Sequence, residues 1–256
     1  FCARNIKQID QMQKYFDDLK KNNQKIISSK TDISQKEEVE NFINFTKKEF
    51  SSIDVLINNA GIYGPIGPIE YVPWNEWINA LNTNLIGSIL MIKSLIPTLK
   101  KQKISKIIQI SGGGATNPMP NFSSYAVSKT GIVRFVETMS YELKGYGIYI
   151  NAVAPGALNT KMLDQVLESN PEKVGNEFYN RSVKQKETGG AGFQKGIDLI
   201  NFLISDAGDK ITGKLISAQW DNFEKWPDNI VKVTESDVYT LRRIVGKDRK
   251  LDWGDK

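Results

Sequence analysis

Tyr125 and Lys129 stand four residues apart in Tyr125-Ala126-Val127-Ser128-Lys129, at the opening of an amphipathic stretch. On a helix that spacing puts both side chains on one face, where the ammonium can lie near the phenol. A free tyrosine has a pKa near 10, too high for a base at neutral pH, but a nearby positive charge favours the phenolate. Lowering a pKa by one takes about 1.4 kcal/mol, so a lysine acting together with a cationic cofactor ring could bring the phenol into range. A proton could then be given or taken at a carbonyl or carbinol without histidine. The chain has no histidine at all, which excludes Ser-His-Asp and Cys-His nucleophilic chemistry and any imidazole metal site. Its single Cys2 cannot form an intrachain disulfide.

Elements able to position such a pair are legible in the hydropathy pattern. Apolar residues recur at helical spacing over Ile6 to Leu19, and Lys25 to Ser28 is a short strand candidate. Ser34, with Glu37 three residues on, has the spacing of a capping box before a helix whose stripe runs from Val39 to Phe50. Asp54 to Ile57, Ile104 to Ile110 and Gly147 to Val153 are strands. Trp74 to Lys101 is one long or two abutting helices, and Ser123 to Lys144 is another, with Ser123 and Ser124 as its capping residues. The stretch from Pro155 to Gly192 is irregular and partly helical. Ile197 to Ile204 is then helical and Leu215 to Ala218 forms a last strand.

Continuous apolar strands alternating with helices define an α/β fold, a doubly wound parallel sheet of Rossmann-like type. The pattern places that fold over residues 1–221, with a near-neutral extension over 222–256 that holds one amphipathic helix, Glu235 to Val245.

Composition narrows the function further. The 256 residues carry 34 Lys+Arg against 29 Asp+Glu, a net charge of +5. The basic residues are scattered or interrupted by acids, so a nucleic-acid surface is not expected. No uninterrupted apolar run has the length of a membrane span and no leader pattern opens the chain, so the expectation is a cytoplasmic protein without a membrane partner. No metal site is expected.

Ligands of open parallel sheets sit outside the carboxyl ends of the strands. There the chain carries Asn58-Asn59-Ala60-Gly61, Ser111-Gly112-Gly113-Gly114 and Ala154-Pro155-Gly156, with the tyrosine and lysine between the last two. Together with Asn84 in Asn82-Thr83-Asn84-Leu85-Ile86-Gly87, this ordered set resembles the short-chain dehydrogenase/reductase family from Phe1 to about Asp221. The resemblance implies hydride transfer between a nicotinamide and a carbonyl/alcohol pair. In it Tyr125 is the acid/base, and Lys129 tunes the tyrosine and holds the ribose. Asn84 holds a relay water, and Ser111 orients the substrate oxygen.

The same resemblance places Asp32, Asn59, Ala60 and Gly61 on the adenosine side of the cofactor, adds Pro155 and Gly156 of the family's Pro-Gly turn to the cofactor site, and sets Thr160 at the carboxamide or the phosphates. Arg4 follows the position where members using NAD carry an acid. Here that position is Ala3, so NADP is favoured, with NAD as the alternative. A homodimer or homotetramer is implied by analogy.

Two departures qualify the match. The family's serine position is occupied by Gly112, with Ser111 one residue earlier. The Gly-rich turn between first strand and first helix is absent, and Gly112-Gly113-Gly114 cannot replace it because it follows a later strand. The fold is therefore expected to be N-terminally incomplete, with Phe1 to Arg4 as the end of the family's second strand and the first β-α unit upstream. The competing readings are a catalytically silent protein on this fold and a nucleotide-sugar epimerase or dehydratase.

Overall fold

A computed structural model describes residues 1–251 and 254. Six strands, β1 (Cys2–Ala3), β2 (Ser29–Lys30), β3 (Val55–Asn58), β4 (Ser105–Ile110), β5 (Ile148–Ala154) and β6 (Leu215–Ser217), form two parallel sheets, one pairing β1 with β2 and the other ordered β3-β4-β5-β6. Helices alternate with them: α1 (Ile6–Leu19), α2 (Lys36–Glu49), α3 (Trp74–Leu81), α4 (Ser88–Leu99), α5 (Ser123–Glu142), α6 (Lys161–Leu167), α7 (Pro171–Val174), α8 (Asn176–Thr188), α9 (Gln194–Ile204) and α10 (Ile230–Glu235). The α/β architecture expected from the alternation is the one observed.

The core follows from the apolar strands. Ile107, Ile150 and Ala152 meet Met91, Ile92, Leu95 and Leu99 of α4 and Val133 and Val136 of α5 on one face of the larger sheet. On the other, Ile108, Val153 and Ile216 meet Leu199 and Leu203 of α9. A π-helical turn, Asn82–Gly87, joins α3 to α4. The joined segment Trp74–Leu99 has the length and hydropathy of a membrane span, but Ala80, Asn84, Ser88, Ile92 and Leu99 are buried against the protein interior. It is the core helix of this domain, apolar because both sheet and neighbouring helices cover it.

Four local expectations are corrected. The ladder lies at Ser29–Lys30 and not at Lys25 to Ser28, because β1 offers partners only at Cys2↔Ser29 and Ala3↔Lys30. Ser34 does not cap α2. Its backbone N–H and its hydroxyl both donate to Asp32 Oδ1, at 2.9 and 2.7 Å, and the helix starts after Gln35. Ser123 and Ser124 do not cap α5 either: Ser123 accepts from Trp77 Nε1 at 3.0 Å, and Ser124 donates to the Tyr63 carbonyl at 3.2 Å. Finally, the extension is helical over Ile230–Glu235 and then runs irregularly where a helix to Val245 was expected. There the outer edge of β6 competes with helix formation. Leu215 N–H donates to the Tyr239 carbonyl at 2.8 Å, and buried Lys214 donates to the carbonyls of Ser236 and Val238 at 2.7 and 3.1 Å.

Buried Glu137 fastens this strap, its carboxylate bridging Arg134 at 2.5 Å and Arg242 at 2.8 Å. Glu137→Gln keeps the shape but loses two charge-assisted bonds, each worth about 1.5–3 kcal/mol where well shielded and less at these half-exposed arginines. The expected result is faster amide exchange over residues 236–242 at nearly unchanged global stability. Unaltered exchange there would show that the strap does not depend on Glu137.

Candidate active site

The strand-end segments meet above β3, β4 and β5. Buried Asn58 donates to the Ser88 carbonyl at 3.1 Å and locks β3 to α4. This leaves Asn59, Ala60 and Gly61 to line a cavity of about 860 Å³. Asn84, fully buried, clamps the loop that follows. Its Oδ1 accepts from Ile62 N–H and its Nδ2 donates to the Ile62 carbonyl, both at 2.8 Å, with a second donation to Ser128 Oγ at 3.0 Å. The side chain expected to hold water is thus engaged with protein groups. It is the π-helical turn around Asn84 that departs from the regular ladder.

Tyr125 and Lys129 lie on the inner face of α5, both buried. Lys129 Nζ donates to the Ile110 carbonyl at 2.9 Å and sits 5.6 Å from the Tyr125 ring centre. A methyl group on Gly61 would lie 3.4 Å from Asn84 Oδ1 and 3.5 Å from Lys129 Nζ, so the loop glycine, the asparagine and the lysine form one cluster. Burial lowers the Lys129 ammonium to about 8. It also drives the Tyr125 phenol well above its ordinary value, with Tyr63 adding in the same direction. Burial thus dominates the phenol in this environment.

The sequence-predicted Ser111 makes no hydrogen bond to Tyr125. Its hydroxyl is buried without a hydrogen-bond partner. Gly112 instead faces the phenol, and a methyl group there would run into Tyr125 Oη. Gly112→Ala must displace the ring, so kcat of any reaction using Tyr125 is expected to fall by about tenfold or more, as small misplacements of reacting groups do. Steady-state rates at saturating substrate check this, and a Gly112→Ala variant as fast as the parent would place the reacting proton elsewhere.

Sequence reasoning missed the aromatic wall around the tyrosine. Tyr63 meets Tyr125 edge-on at 4.9 Å and Phe122 at 5.1 Å, and Phe122 meets Phe178 at 4.9 Å. Tyr63 lies in a Gly/Pro-rich loop and Phe178 on α8, where no spacing rule ties them to α5.

Of the expected cofactor residues, Arg4 lines the cavity beside Thr31 and Thr83, whose hydroxyl is buried and unpartnered. Asp32 does not line it, its carboxylate serving the turn before α2 and lying 3.9 Å from Arg4. Pro155, Gly156 and Thr160 lie beyond β5, outside that cavity. Gly156 has φ +104, and a methyl group there would reach within 2.6 Å of Gln219, so the turn requires glycine. The small residues, the free Thr83 hydroxyl and the cation of Arg4 fit a dinucleotide's adenosine end.

Parallel strands covered by helices, with the candidate side chains gathered at the strands' carboxyl ends, define a doubly wound α/β protein of the class that holds its ligands there. Residues 2–171 match the short chain dehydrogenase family, and the chain belongs to it. It is 31% identical over 157 residues to the levodione reductase of Leifsonia aquatica, covering 60% of this chain and 59% of that one. It is 33% identical over 190 residues to the 3-oxoacyl-[acyl-carrier-protein] reductase FabG of Buchnera aphidicola subsp. Baizongia pistaciae (strain Bp), covering 74% of each. The chain thus spans less than two thirds of the levodione reductase. Among solved structures, levodione reductase superposes with a TM-score of 0.74 at 21% identity over 84% of each chain. NAD+-bound xylitol dehydrogenase does so with 0.72 at 22% identity, over 84% of this chain and 85% of that one.

Proposed function

We propose that this chain is an oxidoreductase that moves hydride between a nicotinamide dinucleotide and a carbonyl/alcohol pair, with Tyr125 handling the proton. The observation that carries the reading is the cluster of Tyr125, Lys129, Asn84 and Gly61 at the carboxyl ends of the parallel strands. Arg4, Asn59, Ala60, Gly61 and Thr83 would hold the adenosine end, and Lys129 the ribose next to the reacting ring. When bound, the cofactor would supply or accept the hydride, and its oxidised ring would add a positive charge to that of Lys129 beside the buried phenol. Tyr125 donates its phenolic proton to the substrate oxygen in reduction and takes it back in oxidation. The wall of Tyr63, Phe122 and Phe178 excludes water from that exchange. In this reading the chain works in the cytoplasm, on a small molecule, as a homo-oligomer.

Relatives reported as levodione and 3-oxoacyl reductases support a ketone substrate. NADP is proposed over NAD because Arg4 follows the uncharged Ala3 at the cavity edge. The test is a panel of ketones with NADPH and NADH, followed by Arg4→Glu. The variant should lose about tenfold of its preference for NADPH, the worth of one charge-assisted bond to the 2′-phosphate. An unchanged ratio would reassign the preference to another residue.

The second reading, a catalytically silent protein on this fold, is favoured by one observation: the Ser111 hydroxyl does not engage Tyr125. Tight cofactor binding without turnover across the panel would select it.

A further inference from the structure

Along β4 the backbone groups of alternate residues face β3, as Lys106 does in donating its N–H to the Asp54 carbonyl at 2.9 Å. The ladder ends at the pair Asn58↔Gln109, so the next group on that side, the Ile110 carbonyl, has no strand beside it. Two side chains supply its donors instead. Lys129 Nζ donates to this carbonyl at 2.9 Å, and Gln109 Nε2 donates to it at 3.2 Å. A carbonyl oxygen has two lone pairs, and here both are occupied. Gln109 is fully buried, and its Oε1 has no partner. The carbonyl fixes that orientation, since the flipped amide would set two acceptors against each other. Asn58, beside it in the register, directs its own amide to the Ser88 carbonyl at 3.1 Å. An amide buried with an orphaned oxygen adds little to stability, and an apolar side chain of the same length would add more.

We propose that Gln109 is a positioning residue for Lys129, a second donor that keeps the Ile110 carbonyl satisfied while Lys129 turns its ammonium to the cofactor ribose. The inference rests on the reading of Lys129 as the residue that holds the ribose. With Lys129 as its only partner, the carbonyl would be orphaned by that turn, and the loss would count against cofactor binding. Gln109 removes most of the loss, because its bond of 3.2 Å can tighten once the oxygen is no longer shared. It does so without travelling. The glutamine precedes the carbonyl on the same strand, and its packed surroundings hold its rotamer. Gln109 meets neither the substrate nor the moving proton in this scheme and acts through Lys129 alone. Its orphaned Oε1 is then a local instability that the site keeps for function.

The test measures binding and unfolding, not turnover. Dissociation constants for NADPH and NADH are taken by fluorescence titration for the parent, Gln109→Met, Lys129→Met and the double variant. Methionine matches glutamine in length and offers no donor. Gln109→Met is expected to weaken dinucleotide binding by about tenfold in the parent background, the effect of one orphaned buried carbonyl. In the Lys129→Met background, where no ammonium turns away, it should change binding by less than about twofold. Cofactor-free melting temperatures give a second readout. There Gln109→Met should leave the parent's midpoint unchanged or higher, since it removes the orphaned Oε1 while Lys129 still holds the carbonyl. In Lys129→Met it takes away the last donor, and its effect should lie about 2–4 °C below its effect in the parent. Where Lys129→Met binds too weakly to titrate, the melting temperatures decide alone. A merely structural glutamine would lower affinity and midpoint alike in both backgrounds, and that result would overturn the proposal, as would unchanged affinity of Gln109→Met in the parent background. A parent that binds neither dinucleotide would instead sink the hydride-transfer reading, and this inference with it.

Discussion

Tyr125→Phe is expected to lower kcat for carbonyl reduction by about 10²–10⁴, the usual worth of a positioned acid or base, while leaving folding and cofactor affinity nearly intact. The separation of effects follows from how the residue is held. Its ring is fixed by edge contacts with Tyr63 at 4.9 Å, and these remain in phenylalanine. Among the described residues no hydrogen bond ends on its hydroxyl, so its removal orphans no buried partner. The change in thermal midpoint should therefore be small and the loss concentrated in the proton-transfer step. Rates at saturating cofactor and substrate, with cofactor affinity measured by fluorescence, check both halves. A variant that turns over as fast as its parent would remove Tyr125 from the chemistry. A variant that loses cofactor affinity instead would make its role one of binding.

Lys129→Met is expected to abolish turnover and yet raise the stability of the cofactor-free protein. The Lys129 ammonium is almost fully buried, and burial lowers it to about 8 from an ordinary 10.5. Below that lower value both folded and unfolded chains carry the proton, and the whole burial penalty, about 3 kcal/mol, acts against folding. Between about 8 and 10.5 the unfolded chain binds the proton and the folded chain does not, so stability from this group rises with pH across that window. Methionine has similar length and no charge. Its gain is offset by the Ile110 carbonyl, which loses its donor at 2.9 Å and about 1–2 kcal/mol with it. A net stabilisation of about 1–2 kcal/mol raises the melting temperature by roughly 2–6 °C at neutral pH. The advantage over the parent should shrink as the pH is raised from about 8 toward 10.5. A lower melting temperature at neutral pH would mean that the hydrogen bond to Ile110 outweighs the burial cost. A buried lysine that costs stability is the kind of strain a reacting centre retains.

Much of the site was legible before folding, for a reason particular to this architecture. Parallel strands are apolar on both faces, so their carboxyl ends are marked by an abrupt change to Asn, Gly, Ser and Pro. Those changes located Asn59, Gly61, Ser111 and Gly156 correctly along the chain. The helical spacing of Tyr125 and Lys129 put both on the inner face of α5. What spacing could not supply was the rotation of each backbone turn. The residue facing the phenol turned out to be Gly112, and Ser111 lies buried beside it with an unpartnered hydroxyl. Nor could it foresee Tyr63 and Phe178, brought to the tyrosine from a loop and from a helix distant in sequence.

Local signals failed where long-range partners offered more. The 235–245 stretch has helical periodicity, but Lys214 and Leu215 hold its backbone carbonyls and end the helix at Glu235. Ser34 has the spacing of a cap, but Asp32 claims its hydroxyl.

By itself the sequence determined the α/β alternation, the order of the strand-end segments and the absence of histidine chemistry, because each depends on residue type and on periods of two or 3.6 along one segment. Only the tertiary structure decided that burial raises the phenol and lowers the lysine together. It alone also decided that β1 and β3, which belong to separate sheets among the described residues, line one cavity. Both are properties of what surrounds a group in three dimensions, and solvent exclusion and strand adjacency have no counterpart in one.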